Sequence, residues 1–425
     1  MFKYSNGLTK LASGVFIIFL VTEFWLPSVY FFNLPLRSYI LVFSSFIYCL
    51  YVFADKENKS ILLDRKLLVI YTFFILFFIF GFINNVVFKR NLFFYLIRSL
   101  KFILQPLLIF FATYLFLSLT NKDRFIKVLL ILVSISCLVA FFQYLNIDFF
   151  WRLREILGKD HNPVIRRLFL EKTRAFGLAQ FYVPLAYQIL CVYSLIFYFA
   201  SFNKNKYLCL IIFTVLVIGI YSSATRSALI GVIVSLCYLF ITQKSMRGII
   251  LKFYIITLIL SIIFSLFINP SKMRIFRLDE SALHRIPLFL FYSRKMLGYS
   301  KSTPPAPTGS DSCSNYEFIN YAKSMGMHFD EVAEVSPHNQ FLNTFFLYGH
   351  LGAILLLLYY LYLWKICSKK NILFGKVAIL VCAVNSFFHN AGPFFGDYIW
   401  WHICALIIYF AITAHTENNS LIDKR

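Results

Sequence analysis

Ser336, Pro337 and His338 stand at the mouth of a long apolar run, an unusual place for an ionisable imidazole. Ser336 reads as a helix N-cap, and Pro337 then falls at the first helical position, where a missing N–H costs nothing. His338 would occupy the first turn. The positive end of the helix dipole disfavours an imidazolium there and keeps the ring neutral, the state a general base requires. The free N–H groups of that turn also suit an anionic phosphate oxygen. The plainer alternative is an interfacial histidine that is hydrogen-bonded and idle.

Three arginine-bearing segments offer the complementary charge. Arg226 lies in "YSSATRSALIG", a tight turn between two apolar runs, where a cation must find a partner or a polar cavity. Arg174 belongs to "RRLFLEKTRAFGLAQ", beside Arg166, Arg167 and Lys172. Arg285 sits in "HRIPLFLFYSRKMLGYS", with Arg294 and Lys295 downstream. For any one of them a solvated loop cap is the bland explanation. Together, their planar forks suit bidentate contact with phosphate, and a cluster at a membrane boundary points to a diphosphate-bearing lipid.

The elements that must hold these residues are membrane helices. The 425-residue chain is 60% hydrophobic and 20% aromatic, with 14% of its residues charged and a mean hydropathy of +0.73. A water-soluble fold could not cover itself with so few polar residues. Apolar stretches near 11–32, 38–54, 67–88, 102–119, 126–147, 181–200, 207–222, 227–242, 249–268, 340–364, 376–393 and 398–415 predict an all-α integral membrane protein of about twelve spans. The parts are spans one to five in 1–147, an external segment in 148–180, spans six to nine in 181–268, a large external loop with short helices in 269–339, and the last three spans and tail in 340–425. Short basic connections such as "NKDRFIK" and "KICSKKNILFGK" alternate with connections poor in lysine and arginine, so the basic set and both termini are expected on the cytoplasmic side. No cleavable signal peptide is expected, because the first apolar run lacks a small-residue cleavage site.

The net charge of +22 is read as helix capping and orientation, so no nucleic-acid partner is expected. Cys313 is the lone cysteine of a long polar loop, and no Cys/His spacing suggests a metal; neither disulfides nor a metal are expected. His350 reads as a helix-packing residue, His389 and His402 lie in or near the last two spans, His161, His284 and His328 lie in loops without a recognisable partner, and His415 is expected on the cytoplasmic side. The acidic stretch from Asp330 to Glu334 reads as a solvated loop.

The run from His338 resembles a known signature. His338 and Asn339, nine residues, Gly349, two residues and Gly352 match the pattern of the bacterial O-antigen ligase and polymerase family. "SATRSALIG" is similar to that family's Thr-Arg-Ser turn, "TRAFGLAQFYVPLAYQ" to its Arg-x-x-Gly segment, and "HRIPLFLFYSRKMLGYS" to the arginine element of its large loop. The elements keep the family's order across residues 170–365, although Gln180 and Pro184 depart from its commonest continuation after the Arg-x-x-Gly segment. The resemblance implies an inner-membrane glycosyltransferase with a periplasmic active site, needing no metal, cofactor or nucleotide sugar. It implies that a glycan moves from undecaprenyl diphosphate to another lipid-linked repeat unit (polymerase) or to lipid A-core (ligase). By position, His338 would activate the acceptor hydroxyl; Arg226 and Arg285, with Arg174, would hold the diphosphate; Asn339, Gly349 and Gly352 would be motif residues. Membrane lipids are implied neighbours, and a chain-length regulator stays open as a partner.

The abundance of Phe, Tyr, Ile and Lys favours the polymerase, with the ligase as alternative. A transporter or lipid-glycan flippase is the reading of another class. It would place charges mid-membrane, where Glu23 is the clearest candidate.

Overall fold

The computed structural model describes residues 5–27, 29–31, 34–54, 64–87, 92–157, 166, 169–172, 174–180, 182–201, 206–266, 285–296, 320, 323–324, 339–389, 392–394 and 398–422. Each of the twelve apolar stretches is occupied by a helix. In chain order the helices are α1 (Ser5–Trp25), α2 (Leu36–Ala54), α3 (Arg65–Val87), α4 (Leu92–Ser99), α5 (Gln105–Leu119), α6 (Lys122–Tyr144), α7 (Asp148–Ile156), α8 (Tyr182–Ser201), α9 (Lys206–Ser223), α10 (Arg226–Thr242), α11 (Arg247–Leu266), α12 (Arg285–Met296), α13 (Gln340–Lys369), α14 (Leu373–Ser386) and α15 (Ile399–Ile422). A two-residue antiparallel ladder, β1 (Tyr30–Phe31) with β2 (Leu34–Pro35), links α1 to α2.

This is an α-helical, membrane-embedded protein. By length and composition, seven helical stretches of the described residues can cross a bilayer, and Leu36–Val52, Arg226–Thr242, Leu373–Ser386 and Ile399–Thr413 are shorter apolar helices. The outer faces carry many large apolar side chains. Phe43, Phe46, Ile75, Leu258, Ile262, Leu357 and Leu361 are all exposed, a surface suited to lipid rather than to water. α8 is the most enclosed of the seven and packs against α9 and α14; α6 packs on α9, α5 on α15, and α13 on α3 and α14.

Local chemistry explains where the helices depart from the sequence expectation. The first was expected over 11–32, yet α1 stops at Trp25 because Pro27 follows and the residue before a proline disfavours the α region. The untidy stretch around Lys101 is a π-helical turn, Leu100–Leu104, between α4 and α5. Pro106 lies at the start of α5; its ring crowds the carbonyl four residues back, and the wider turn relieves the clash. The stretch expected over 376–393 ends at Ser386, ahead of Gly392 and Pro393.

The largest departure is in α13. Its 30 residues are not one rod: Gly349 has φ 73° and ψ −174°. In a straight helix residues 340 and 360 would lie ~30 Å apart. Instead the Tyr360 hydroxyl donates to Gln340 Oε1 at 3.3 Å, and the Phe341 and Tyr360 rings lie 6.2 Å apart. The chain therefore folds back at Gly349, with a nine-residue arm, 340–348, lying beside the long segment 350–369. The arm's first residues are level with Tyr360, about 15 Å along that segment from the elbow.

A buried polar chain ties the N-terminal third to α15. His402 Nε2 lies 2.7 Å from Glu23 Oε2, and His402 Nδ1 lies 2.7 Å from Thr113 Oγ1. Thr113 in turn donates to the Ile109 carbonyl at 2.7 Å. Phe16, Phe19, Phe24 and Phe125 ring the imidazole, so α1, α5, α6 and α15 all meet at this point. His402 thus has a specific ionisable partner that the sequence did not disclose.

Candidate functional site

The signature region is built around the elbow. The Gly349 conformation is in the left-handed region that favours glycine. A Cβ added there would come within 3.2 Å of Asn84 Oδ1. At Gly352 a Cβ would meet the Tyr348 Cβ at 2.2 Å, so both glycines are needed for the two halves of the hairpin to close. Breaking a helix leaves its last carbonyls without intrahelical donors. Asn84 of α3 supplies them: its Nδ2 donates to the Phe346 and Leu347 carbonyls at 3.2 and 3.0 Å. Nothing in its local sequence marks Asn84, because its partners lie more than 260 residues away.

At the other end of the arm the cap is Asn339, not Ser336. Asn339 has extended backbone angles, and its side chain accepts from the Leu342 N–H at 3.1 Å. Its Nδ2 donates to the Phe387 carbonyl at 3.2 Å, which ties the arm's start to the end of α14. Gln340 donates to the Pro393 carbonyl at 2.8 Å, and Tyr348 donates to the Phe394 carbonyl at 2.9 Å. The whole length of the arm is thus strapped to the segment before α15. His338, with Ser336 and Pro337, lies outside the described residues; in sequence it immediately precedes the Asn339 cap. The helix itself starts at Gln340.

The Arg226 turn reaches the same junction. Ser223, Thr225 and Ser227 are buried around it, and Ala224 has φ 51°, a strained setting for a residue with a Cβ. Arg226, half-buried, is the first residue of α10. Its neighbour Ser227 donates to Asn385 Oδ1 at 2.8 Å, near the end of α14. Phe387, which accepts from Asn339, is two residues further on.

The Arg174 segment docks on this turn: Ala175 N–H donates to the Ser222 carbonyl at 3.3 Å. Its irregular backbone is held by side chains of α6 and α7. Gln143 Oε1 accepts from the Phe176 and Gly177 N–H groups at 2.9 and 2.8 Å, and its Nε2 donates back to the Gly177 carbonyl at 3.1 Å. Ser136 receives the Leu178 N–H at 3.0 Å. A Cβ at Gly177 would sit 2.5 Å from the Ser136 carbonyl oxygen, so only glycine lets the segment approach α6 so closely. Buried Arg154 donates to the Ala179 and Gln180 carbonyls at 3.0 and 3.1 Å. The Arg174 guanidinium lies over the Tyr182 ring, 4.3 Å from its centre. At the rim Lys172 pairs with Asp148 and holds that exposed carboxyl below the usual carboxylate range. Arg154, Gln143 and Ser136 escaped sequence reasoning. An arginine inside the short amphipathic "DFFWRLREI" was the one visible signal.

Arg285 begins α12, and its side chain lies outside the described residues. The helix itself packs on the arm: the Tyr292 and Phe346 rings are 5.2 Å apart, edge to face. The structure therefore brings together the Arg226 turn, the Arg174 segment and the Asn339 cap, while the helix begun by Arg285 packs on the arm at Phe346, near the elbow. It does not bring in His350, which packs against Phe345 at the elbow, or His402. The Asp330 to Glu334 stretch, Cys313, His161, His284 and His328 lie outside the described residues.

The chain matches no family model. No curated protein matches it either.

Proposed function

We propose that the protein is an inner-membrane glycosyltransferase of the O-antigen polymerase type. In this reading it has about twelve spans, both termini in the cytoplasm and its active site at the periplasmic face. The observation that carries the reading is the junction at the end of α14. Asn339, next to His338 in sequence, bonds there at Phe387, and Ser227, next to Arg226, bonds there at Asn385.

The chemistry is the one the resemblance implies for these residues. The donor is a glycan on undecaprenyl diphosphate, and the acceptor is a hydroxyl of a second lipid-linked repeat unit. His338 takes the acceptor proton as the oxygen attacks the anomeric carbon. The bond from that carbon to the diphosphate breaks, and undecaprenyl diphosphate leaves with the electron pair. Arg226, Arg285 and Arg174 balance the growing negative charge, which fixed cations stabilise better beside lipid than in open water. Direct displacement inverts the anomeric centre.

The test is the lipopolysaccharide banding of a deletion strain complemented with wild-type protein, His338→Ala or Arg226→Ala. A polymerase deletion leaves single repeat units on lipid A-core; a ligase deletion leaves glycan on the lipid carrier. Both variants are expected to reproduce the deletion pattern at normal membrane abundance. Full-length ladders from His338→Ala would refute the reading.

The buried Glu23–His402 pair favours a second reading, a proton-coupled carrier of lipid-linked glycan, because ionisable groups inside membrane helices mark transport pathways. Loss of translocation in Glu23→Gln, with His338→Ala silent, would select it.

A further inference from the structure

The arm carries buried polar groups that the proposed chemistry leaves idle. Asn343 is completely buried, and neither its Oδ1 nor its Nδ2 has a hydrogen-bond partner among the described residues. Thr344, buried beside it, has an unpartnered Oγ1. Buried Asn385 accepts from Ser227, yet its Nδ2 is unpartnered. Burying such groups unpaired is unfavourable, and an apolar side chain of similar volume would serve packing better.

These three residues adjoin one junction along the chain. Asn343 is one helical turn along the arm from Asn339, whose amide bonds the Phe387 carbonyl. Asn385 is two residues before Phe387 and is bonded to the neighbour of Arg226. Unlike the surrounding arginines, they are neutral. Two amides and a hydroxyl offer donors and acceptors together, the complement of a sugar's ring hydroxyls rather than of a phosphate. We propose that Asn343, Thr344 and Asn385 bind hydroxyls of a glycan residue beside the Arg226 turn and so set which sugar the protein accepts. The proposal rests on the glycosyltransferase reading and adds its sugar contacts. A site that must hydrogen-bond a hydroxyl rejects analogues lacking it, because its own polar groups are then left unpaired.

Purified full-length protein in detergent is titrated with the repeat-unit oligosaccharide released by mild acid from the host's lipid-linked intermediate, with maltotriose as control. The thermal midpoint of the wild type is expected to rise with the repeat unit and not with maltotriose. Asn343→Leu and Asn385→Leu are expected to have sugar-free midpoints at or above the wild type, with apparent affinity at least about tenfold weaker. Asn343→Ala replaces the leucine variant if that one does not fold. Equal responses in wild type and variants overturn the assignment, as do no response in the wild type and lower sugar-free midpoints in the variants. The underlying reading is judged separately by glycan ladders: a ladder lost in His338→Ala but normal in Asn343→Leu rejects the sugar contacts alone, whereas a ladder unchanged by deletion rejects the reading itself.

Discussion

Glu23 and His402 show how proton count and packing are linked at a single contact. The Thr113 hydroxyl hydrogen is committed to the Ile109 carbonyl, so Thr113 Oγ1 accepts from His402 Nδ1–H. One proton then lies between Nε2 and Glu23 Oε2, and the pair is neutral overall however that proton is shared. Glu23→Gln keeps a donor toward Nε2 and is expected to change stability by less than about 1.5 kcal/mol. Glu23→Ala or His402→Ala leaves a buried partner unpaired and should cost about 1–3 kcal/mol. Thermal midpoints in detergent check both, and a glutamine variant as unstable as the alanine one would contradict the assignment of a single shared proton. Asn84 supports a similar argument. Asn84→Ala strips the donors from two carbonyls at the elbow and is expected to destabilise by about 1–3 kcal/mol. Asn84→Asp should be worse, since a carboxylate offers those carbonyls no donor.

At the scale of elements, the helices were legible and their interruptions were not. Twelve apolar runs announced twelve helices because a bilayer-length stretch of Phe, Ile and Leu has few other options. The elbow in α13 stayed hidden inside one such run: hydropathy reports what surrounds a helix, not whether it reverses. Gly349 and Gly352 were visible as a spacing, and their physical role is now plain, since one adopts a left-handed backbone and the other admits Tyr348. Gly349→Ala is expected to cost about 1–3 kcal/mol through backbone strain alone. If the arm works as proposed, ladder length should fall further than protein abundance in that variant; quantifying both in one membrane preparation checks it. Packing across elements offers an independent test. The Cys191 and Cys382 sulfurs of α8 and α14 lie 3.7 Å apart, so mild oxidation should cross-link the two helices. Cys191→Ser should abolish that product on mass spectrometry of the digest.

For the whole molecule, the expected site segments were read from separate local patterns spread from Arg174 to His338, while the scaffold joining them was not. Arg226 and Asn339 stood out through charge, turn chemistry and spacing. The links between them, Ser227 to Asn385 and Asn339 to Phe387, depend on where α14 ends, a tertiary fact with no local signature. The same holds for Gln143 and Arg154, whose value lies in clamping the Arg174 segment. Under the proposed orientation, cysteine labelling with a membrane-impermeant maleimide is expected to modify a residue introduced at position 121 only after the membrane is opened, and one introduced at position 146 without it. The reverse pattern would invert every assignment of side.

The arm also has the properties of a ruler. It is pinned at both ends, by Asn339 at Phe387 and by Gly349 against Asn84, with two and a half turns between. Inserting one alanine between those pins would swing the far end around the axis by ~100° and push it outward by ~1.5 Å, aiming Asn339 away from its acceptor. Substitutions along the arm can be absorbed one side chain at a time, whereas a change in its count of residues cannot.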